Sequence, residues 1–366
     1  MSNGKKVSRT GVLPDFMLRN LLGEEFIRDV DSSYVNPSSV DIPLSSEVFR
    51  LEARFLPQRG ERVRPLIKTV GGTPHDLRSP LEVGRKYLIR AEGRWRLPAG
   101  MYGYANPKSS AGRIGLLSRI VADGSDMYDA MRGPENLEWE GEVWILVEPK
   151  SFPILLSPRQ AISQFRLFTG KAFVSPEQMK KEISKGLLYT PDGKKIGFAD
   201  ARLHADSVLL SIDLSGETVG WECRGIEKVL DYGKVGFYDP EDFFTRLEVR
   251  NGCVAIREGT LAILSTYEHL VVPPAYSSEL RAIDPRFGEF RNHSAGFFDA
   301  GWGVGKGAPI TLEVTTFEGE LFRDRRVIGR VRYEYMAAEP LVPYRQARSN
   351  YTDQTGPRLS KHFKIK

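Results

Sequence analysis

Cysteine, histidine and long apolar runs are all scarce in this chain. Two cysteines, Cys223 and Cys253, are too few for a disulfide framework, which fits a reducing compartment. No apolar stretch approaches the roughly 18 residues of a membrane span. The opening residues, MSNGKKVSRTG, hold no apolar signal core. A cytoplasmic protein with no membrane partner is therefore expected. The five histidines (75, 204, 269, 293 and 362) and the two distant cysteines show no metal-ligand spacing, so no protein metal site is expected. Excess charge is also missing from most of the chain. From Leu341 onward six basic residues, Arg345 to Lys366, face one acid, Asp353, which accounts for the whole net charge of +5. A nucleic-acid face needs a broad basic surface, so nucleic acid is not an expected partner. A basic tail on a neutral body suits a segment that closes on one small polyanion. A solvated terminus is the plainer reading.

What is present is globular composition, 41% hydrophobic and 27% charged over 366 residues, enough for two domains. The chain also echoes itself. GVLPDFMLRNLLGEEFI (11–27) resembles FVSPEQMKKEISKGLLY (173–189), where Ser175 reads as an N-cap, Pro176 as the first helical residue and Gly186 as the stop. SSVDIPLSSEVFRL (38–51) echoes DSVLLSIDLSG (206–216), and ISQFRLF (162–168) echoes IGRVRYE (328–334). RIGLLSRIVADGSD (113–126) echoes RFGEFRNHSAGFFD (286–299), with equal spacing from Arg113 to Asp126 and from Arg286 to Asp299. Echoes in one shared order imply a tandem duplication. The expected domains are 1–171 and 172–366, with a tail from about 341. Short alternating runs such as VWILVEP, ITLEV and RVRYEY, punctuated by 35 glycines and 23 prolines, predict a mainly-β chain. Each half should be a small jelly-roll-like barrel opened by a short helix.

The motifs SVDIPL (39–44), KSSAGRIGL (108–116), SAGFFDAGW (294–302), ITLE (310–313) and SNYTDQTGPRLS (349–360) follow one another in a specific order. In that order the repeat unit resembles the deoxyuridine triphosphatase-like family, and within it the dCTP deaminases. The resemblance implies a catalytic glutamate at Glu313. It implies triphosphate and sugar contacts from Lys108, Ser109, Ser110 and Arg113. It sets Asp299 and the backbone around Ala295, Thr311 and Leu312 near the nucleoside. Tyr344, Tyr351 and Gln354 would fold over the bound nucleotide, and a homo-oligomer is expected. The halves depart from the pattern in complementary ways. The strand matching ITLEV in the first half is VWILV, with Leu146 at the glutamate position. The segment matching KSSAGR in the second half is RAIDPR, with Ala282 and Ile283 for the serines. One composite site, built from both halves, is expected.

The expected reaction is deamination of dCTP to dUTP and ammonia, in pyrimidine deoxynucleotide metabolism. Zinc deaminases carry H-x-E and P-C-x-x-C, and neither stands here, so a side chain must serve as the base. On strand alternation alone, Glu313 shares a face with Thr311 and reads as a solvent-facing acid; the resemblance makes it the base. Mg²⁺ would enter on the substrate triphosphate. GWGVGKG (301–307) departs from the phosphate-loop pattern, since Gly307 follows the lysine and no helix comes next. It reads as the turn that delivers Glu313. Two alternatives stand beside this reading. One is a bifunctional enzyme that also hydrolyses dUTP to dUMP, with Asp299 orienting water. The other is a non-catalytic barrel protein.

Overall fold

The computed structural model describes residues 10–22, 26–132, 137–292, 296–347, 351 and 354–365. It is mainly β. The first-half strands that bear on the site are β1 (Val40–Leu51), β2 (Lys86–Ala91), β3 (Met101–Pro107), β4 (Leu116–Ala122), β5 (Ala130–Arg132), β6 (Val143–Pro149) and β7 (Ala161–Thr169). They lie in the order β4-β6-β2-β1-β7-β3-β5. The long β1 bends through both parts of the barrel. Its start pairs with β7 and its end with β2, with an irregularity between Leu44 and Val48.

The second half repeats this plan with β8 (Ser207–Ser211), β9 (Leu261–Leu270), β10 (Tyr276–Arg281), β11 (Phe290–Asn292), β12 (Phe297–Phe298), β13 (Ala308–Thr316) and β14 (Val327–Tyr335). Here the barrel opens into two sheets, one carrying β9-β13-β11 and the other β8-β14-β10-β12. Each half begins with a short helix, α1 (Asp15–Leu21) and, in the second half, Pro176–Gly186. In the latter, Ser175 Oγ accepts from the Gln178 N–H, as the capping pattern requires.

The ladders set the true register of the repeat. Arg166 lies opposite Tyr104, and Arg332 opposite Glu279. Tyr104 in turn faces Ala130, and Glu279 faces Phe297. Counting onward, Ser109 and Ser110 match Asp284 and Pro285, and Arg132 rather than Asp126 matches Asp299. The equal Arg-to-Asp spacing is therefore not a structural equivalence. The connection between the paired strands is shorter in the second half, so an ungapped match slides out of register. Both serines are lost from the second half in either alignment.

The apolar cores do not divide at residue 172. One lies within the second half and includes Ile183, Leu210, Leu264, Leu312 and Tyr333. The larger one joins first-half residues to Trp221, Leu230, Phe243, Ile263, Leu359 and Phe363. Phe152 meets Phe243 edge-on at 4.9 Å between ring centroids. A buried polar seam also crosses between halves. The fully buried Arg166 guanidinium pairs with Glu334 and, at 3.1 Å, with Glu279. Desolvating these charges is costly unless each keeps its partner, so the seam fixes how the barrels meet.

Candidate active site

A cleft opens between the two halves. Lys108, Ser109, Ser110, Arg113, Asn36 and Gln164 line it from the first half. Phe297, Asp299, Thr311, Glu313 and Tyr344 line it from the second, and Tyr351 and Gln354 from the tail. Every described candidate except Leu312 therefore reaches one place. The Leu312 side chain is fully buried in the second core, because alternation along β13 turns Ile310, Leu312 and Val314 inward. Only its backbone is left for a ligand. Ala295 lies outside the described residues.

Glu313 is on the outer face of β13 but is not solvent-facing: it is 3% exposed, because the first half covers it. Arg113, at the C-terminal cap of the single-turn helix Ser109–Gly112, brings its Nε to 3.6 Å from Glu313 Oε1. Burial drives the Glu313 carboxyl up to about 7, against the lowering pull of the Arg113 charge. A carboxylate tuned near neutrality can take a proton from water and return it. Beside it, the buried Thr311 hydroxyl has no hydrogen-bond partner among the described residues. A buried polar group without a partner is costly, so this hydroxyl is available to a ligand.

Arg113 is also engaged by the tail. Its terminal nitrogens donate to the Arg358 carbonyl at 3.0 Å and to Gln354 Oε1 at 3.1 Å, and it stacks 3.9 Å from the Tyr351 ring centre. It ties Glu313 to the tail. Lys108 pairs with Asp41, which also accepts from Asn36 Nδ2 at 2.8 Å. Asp299 Oδ1 accepts from both the Ser38 N–H at 3.0 Å and the Ser38 hydroxyl at 2.5 Å. Burial lifts the Asp299 carboxyl to about 6 despite these bonds. The glycine run behaves as a turn. At Gly303, with φ +66°, a Cβ would stand 2.2 Å from the Leu270 carbonyl oxygen.

The described part of the tail is docked on the protein, where the plainer sequence reading is a solvated terminus. Leu359 and Phe363 join the large core, and Phe363 packs 5.5 and 5.3 Å from the rings of Phe243 and Phe244. Apolar anchors beyond the motif hold it. Gln354 Nε2 donates to the Pro309 carbonyl at 2.5 Å. With Gln354 and Tyr351 standing in it, the cleft measures about 130 Å³, below the ~300–1,000 Å³ of ordinary ligand sites. Lys361, unnamed by any motif, is half-buried. Its ammonium is pulled to lower pKa first by burial and then by the charge of Lys108. Ser38, Asn36, Gln164 and Lys361 went unseen in the sequence. Only the proximity of Ser38 and Asn36 to SVDIPL could have pointed to two of them.

Among the described residues, no three His, Cys, Asp or Glu side chains group as a metal site. None of the described helices is long and apolar enough to cross a membrane.

The fold and the shared cleft define a tandem β-barrel protein whose site needs both barrels. Family models for the N-terminal and C-terminal domains of 2'-deoxycytidine 5'-triphosphate deaminase match residues 9–171 and 183–363. The chain is also similar to the crystal structure of 2'-deoxycytidine 5'-triphosphate deaminase from Agrobacterium tumefaciens. Identity is 30% and the TM-score 0.82, over 91% of this chain and 97% of that one. This chain belongs to the 2'-deoxycytidine 5'-triphosphate deaminase family. A search of curated proteins returns no match.

Proposed function

We propose that the protein deaminates dCTP to dUTP and ammonia, with Glu313 as the general base. The observation that carries this reading is the buried Glu313 carboxyl, held near neutral pKa against Arg113 from the other half. Ionised Glu313 takes a proton from water, and the resulting hydroxide adds to C4 of the cytosine ring. The ring gains a proton, and a further proton passes to the departing amine, which leaves as ammonia while the C4 carbonyl forms. Thr311 offers its unpartnered hydroxyl beside Glu313, and Ser110 stands with Lys108 and Ser109 for the phosphates and sugar. Asp299 keeps Oδ2 for a sugar hydroxyl, since Ser38 engages Oδ1. Lys108 and Lys361 are drawn together where a triphosphate would neutralise both. Mg²⁺ would enter with that triphosphate and screen its charge.

The tail must lift to admit substrate, since Tyr351 and Gln354 stand in the cleft. The test is to incubate the protein with dCTP and Mg²⁺ and resolve ammonia, dUTP, dUMP and pyrophosphate. Ammonia with stoichiometric dUTP is the expected result. Accumulation of dUMP and pyrophosphate would add a hydrolytic step, and no turnover would refute the reading.

A further inference from the structure

A second and larger cavity, of about 900 Å³, opens between the two halves. Ala105, Asn106 and Pro107 line it, and so do Leu280, Arg281 and Ala282, their counterparts in the strand register set out above. Leu117 and Arg291 line it as well. They face Glu148 and Thr315, each one residue before the end of its strand, so they too are counterparts. A place walled by both members of successive counterpart pairs lies on the axis that relates the halves. The cavity is therefore a product of the duplication. It is separate from the cleft around Glu313, although Leu280 borders both.

Its chemistry differs from that of the other cleft. Ile283 and Pro285 stand where the first half has Lys108 and Ser110, and the counterpart of Glu313, Leu146, is held in an apolar cluster. Charge comes from arginines instead. Arg281, Arg291 and Arg330 occupy positions where the first half carries the uncharged Asn106, Leu117 and Gln164. Arg54 and Arg119 add to them from the first-half wall, which makes five arginines against three acids, Asp129, Glu279 and Glu289. Two of those acids are already engaged. Asp129 pairs with Arg119, and Glu279 with Arg166 at 3.1 Å and Arg281 at 3.0 Å. Arg330 Nε donates to the Ala282 carbonyl at 2.7 Å, and Arg291 lies 4.8 Å from the Phe317 ring centre. Neither meets an acid among the described residues. Each guanidinium carries five N–H donors, so both keep donors for a ligand.

We propose that this cavity is a second, non-catalytic binding site, which takes the di- or triphosphate group of a small polyanion on Arg291 and Arg330. Guanidinium forks match phosphate oxygens in shape and charge. The volume suits a small ligand, within the ~300–1,000 Å³ of ordinary sites. Aromatic faces stand among the arginines, Phe317 beside Arg291 and Tyr128 with its ring centre 5.0 Å from Arg119. The phosphates could therefore belong to a free polyphosphate or to a nucleotide whose base meets those rings. The site does not depend on dCTP being the substrate of the other cleft.

The probes are inorganic tripolyphosphate and ATP, titrated calorimetrically into the full chain without Mg²⁺. The Glu313 cleft can also take a triphosphate, so each titration is repeated on Lys108→Ala and on the double variant Arg291→Gln/Arg330→Gln. The expected result is a binding component that Lys108→Ala leaves in place and the double variant weakens at least about tenfold, the scale of a lost charge-assisted bond. Arg291→Gln alone, on an exposed side chain, should weaken it about fivefold and keeps the test decisive if the double variant fails to fold. Tighter binding of ATP assigns the site to a nucleotide, and equal or tighter binding of tripolyphosphate assigns it to the phosphates alone. Binding that both arginine variants leave unchanged, or no binding tighter than about 1 mM, overturns the proposal.

Discussion

The outer faces of β6 and β13 occupy equivalent places in their barrels and are closed in opposite ways. Gly84 donates to the Pro149 carbonyl at the foot of β6, and Gly259 to the Thr316 carbonyl at the foot of β13. That pairing sets Leu146 and Glu313 at the same position. Over Leu146 the first half folds its own helix, α2 (Val63–Thr69). Val63 and Ile67, four residues apart on one helical face, join Leu51, Leu88, Val121 and Trp144 in a small apolar cluster around it. Over Glu313 no such helix stands among the described residues; the other barrel and the tail cover it with Arg113 and Tyr351. A duplicated strand can thus carry either a core leucine or a buried acid at one position. Local covering decides, since a charge survives burial only beside a partner.

The largest effect that would test this contrast is on Glu313 itself. Glu313→Gln keeps shape and hydrogen bonding but cannot accept a proton. Turnover of dCTP should fall by at least about two orders of magnitude, the low end for losing a general base, while nucleotide binding persists. Near-normal kcat would return Glu313 to a structural role.

Leu146→Glu places the same group in the other half, where the surrounding cluster is apolar. Burying that carboxyl should cost roughly 2–5 kcal/mol, read as a lowered urea midpoint, and should add no second activity. A variant of wild-type stability would show that β6 tolerates an acid as β13 does.

Arg113→Gln sharpens the account of the partner charge. Glu313 must be ionised to act, so activity should rise with pH through its carboxyl pKa of about 7. The Arg113 charge holds that value down, so removing it moves the acid limb to higher pH. Activity at pH 6 should then suffer more than activity at pH 8. An acid limb that stays in place would leave Arg113 without influence on the base.

The smallest effect is expected at Arg286. It pairs with Asp284 on the surface, 80% exposed, where solvent screens the pair and leaves it little net effect. Arg286→Ala should change kcat/KM less than about twofold, measured beside Arg113→Ala, which should be nearly inactive. A comparable loss from both would mean that the second half carries a working copy of the arginine motif.

Much of this was legible in the residues. Ser175, Pro176 and Gly186 mark a helix because capping and stop chemistry are local. Alternation along ITLEV separates Ile310, Leu312 and Val314 from Thr311 and Glu313, and the motif order groups Ser110, Arg113, Glu313, Tyr351 and Gln354. That Asp126 is not the counterpart of Asp299 was illegible, because loop length is not visible until strands pair.

The sequence by itself determined the duplicated β architecture and the division of labour, since Leu146 against Glu313, and the two serines against none, are facts of residue identity. Only the tertiary structure decided that Glu313 is buried, that Arg113 stands beside it, that the tail is anchored by Phe363, and that Tyr232 reaches Ser110. Those contacts join residues more than a hundred positions apart, or bury a tail in another segment's core. Their energies depend on desolvation and on which partner arrives, and no local pattern encodes either.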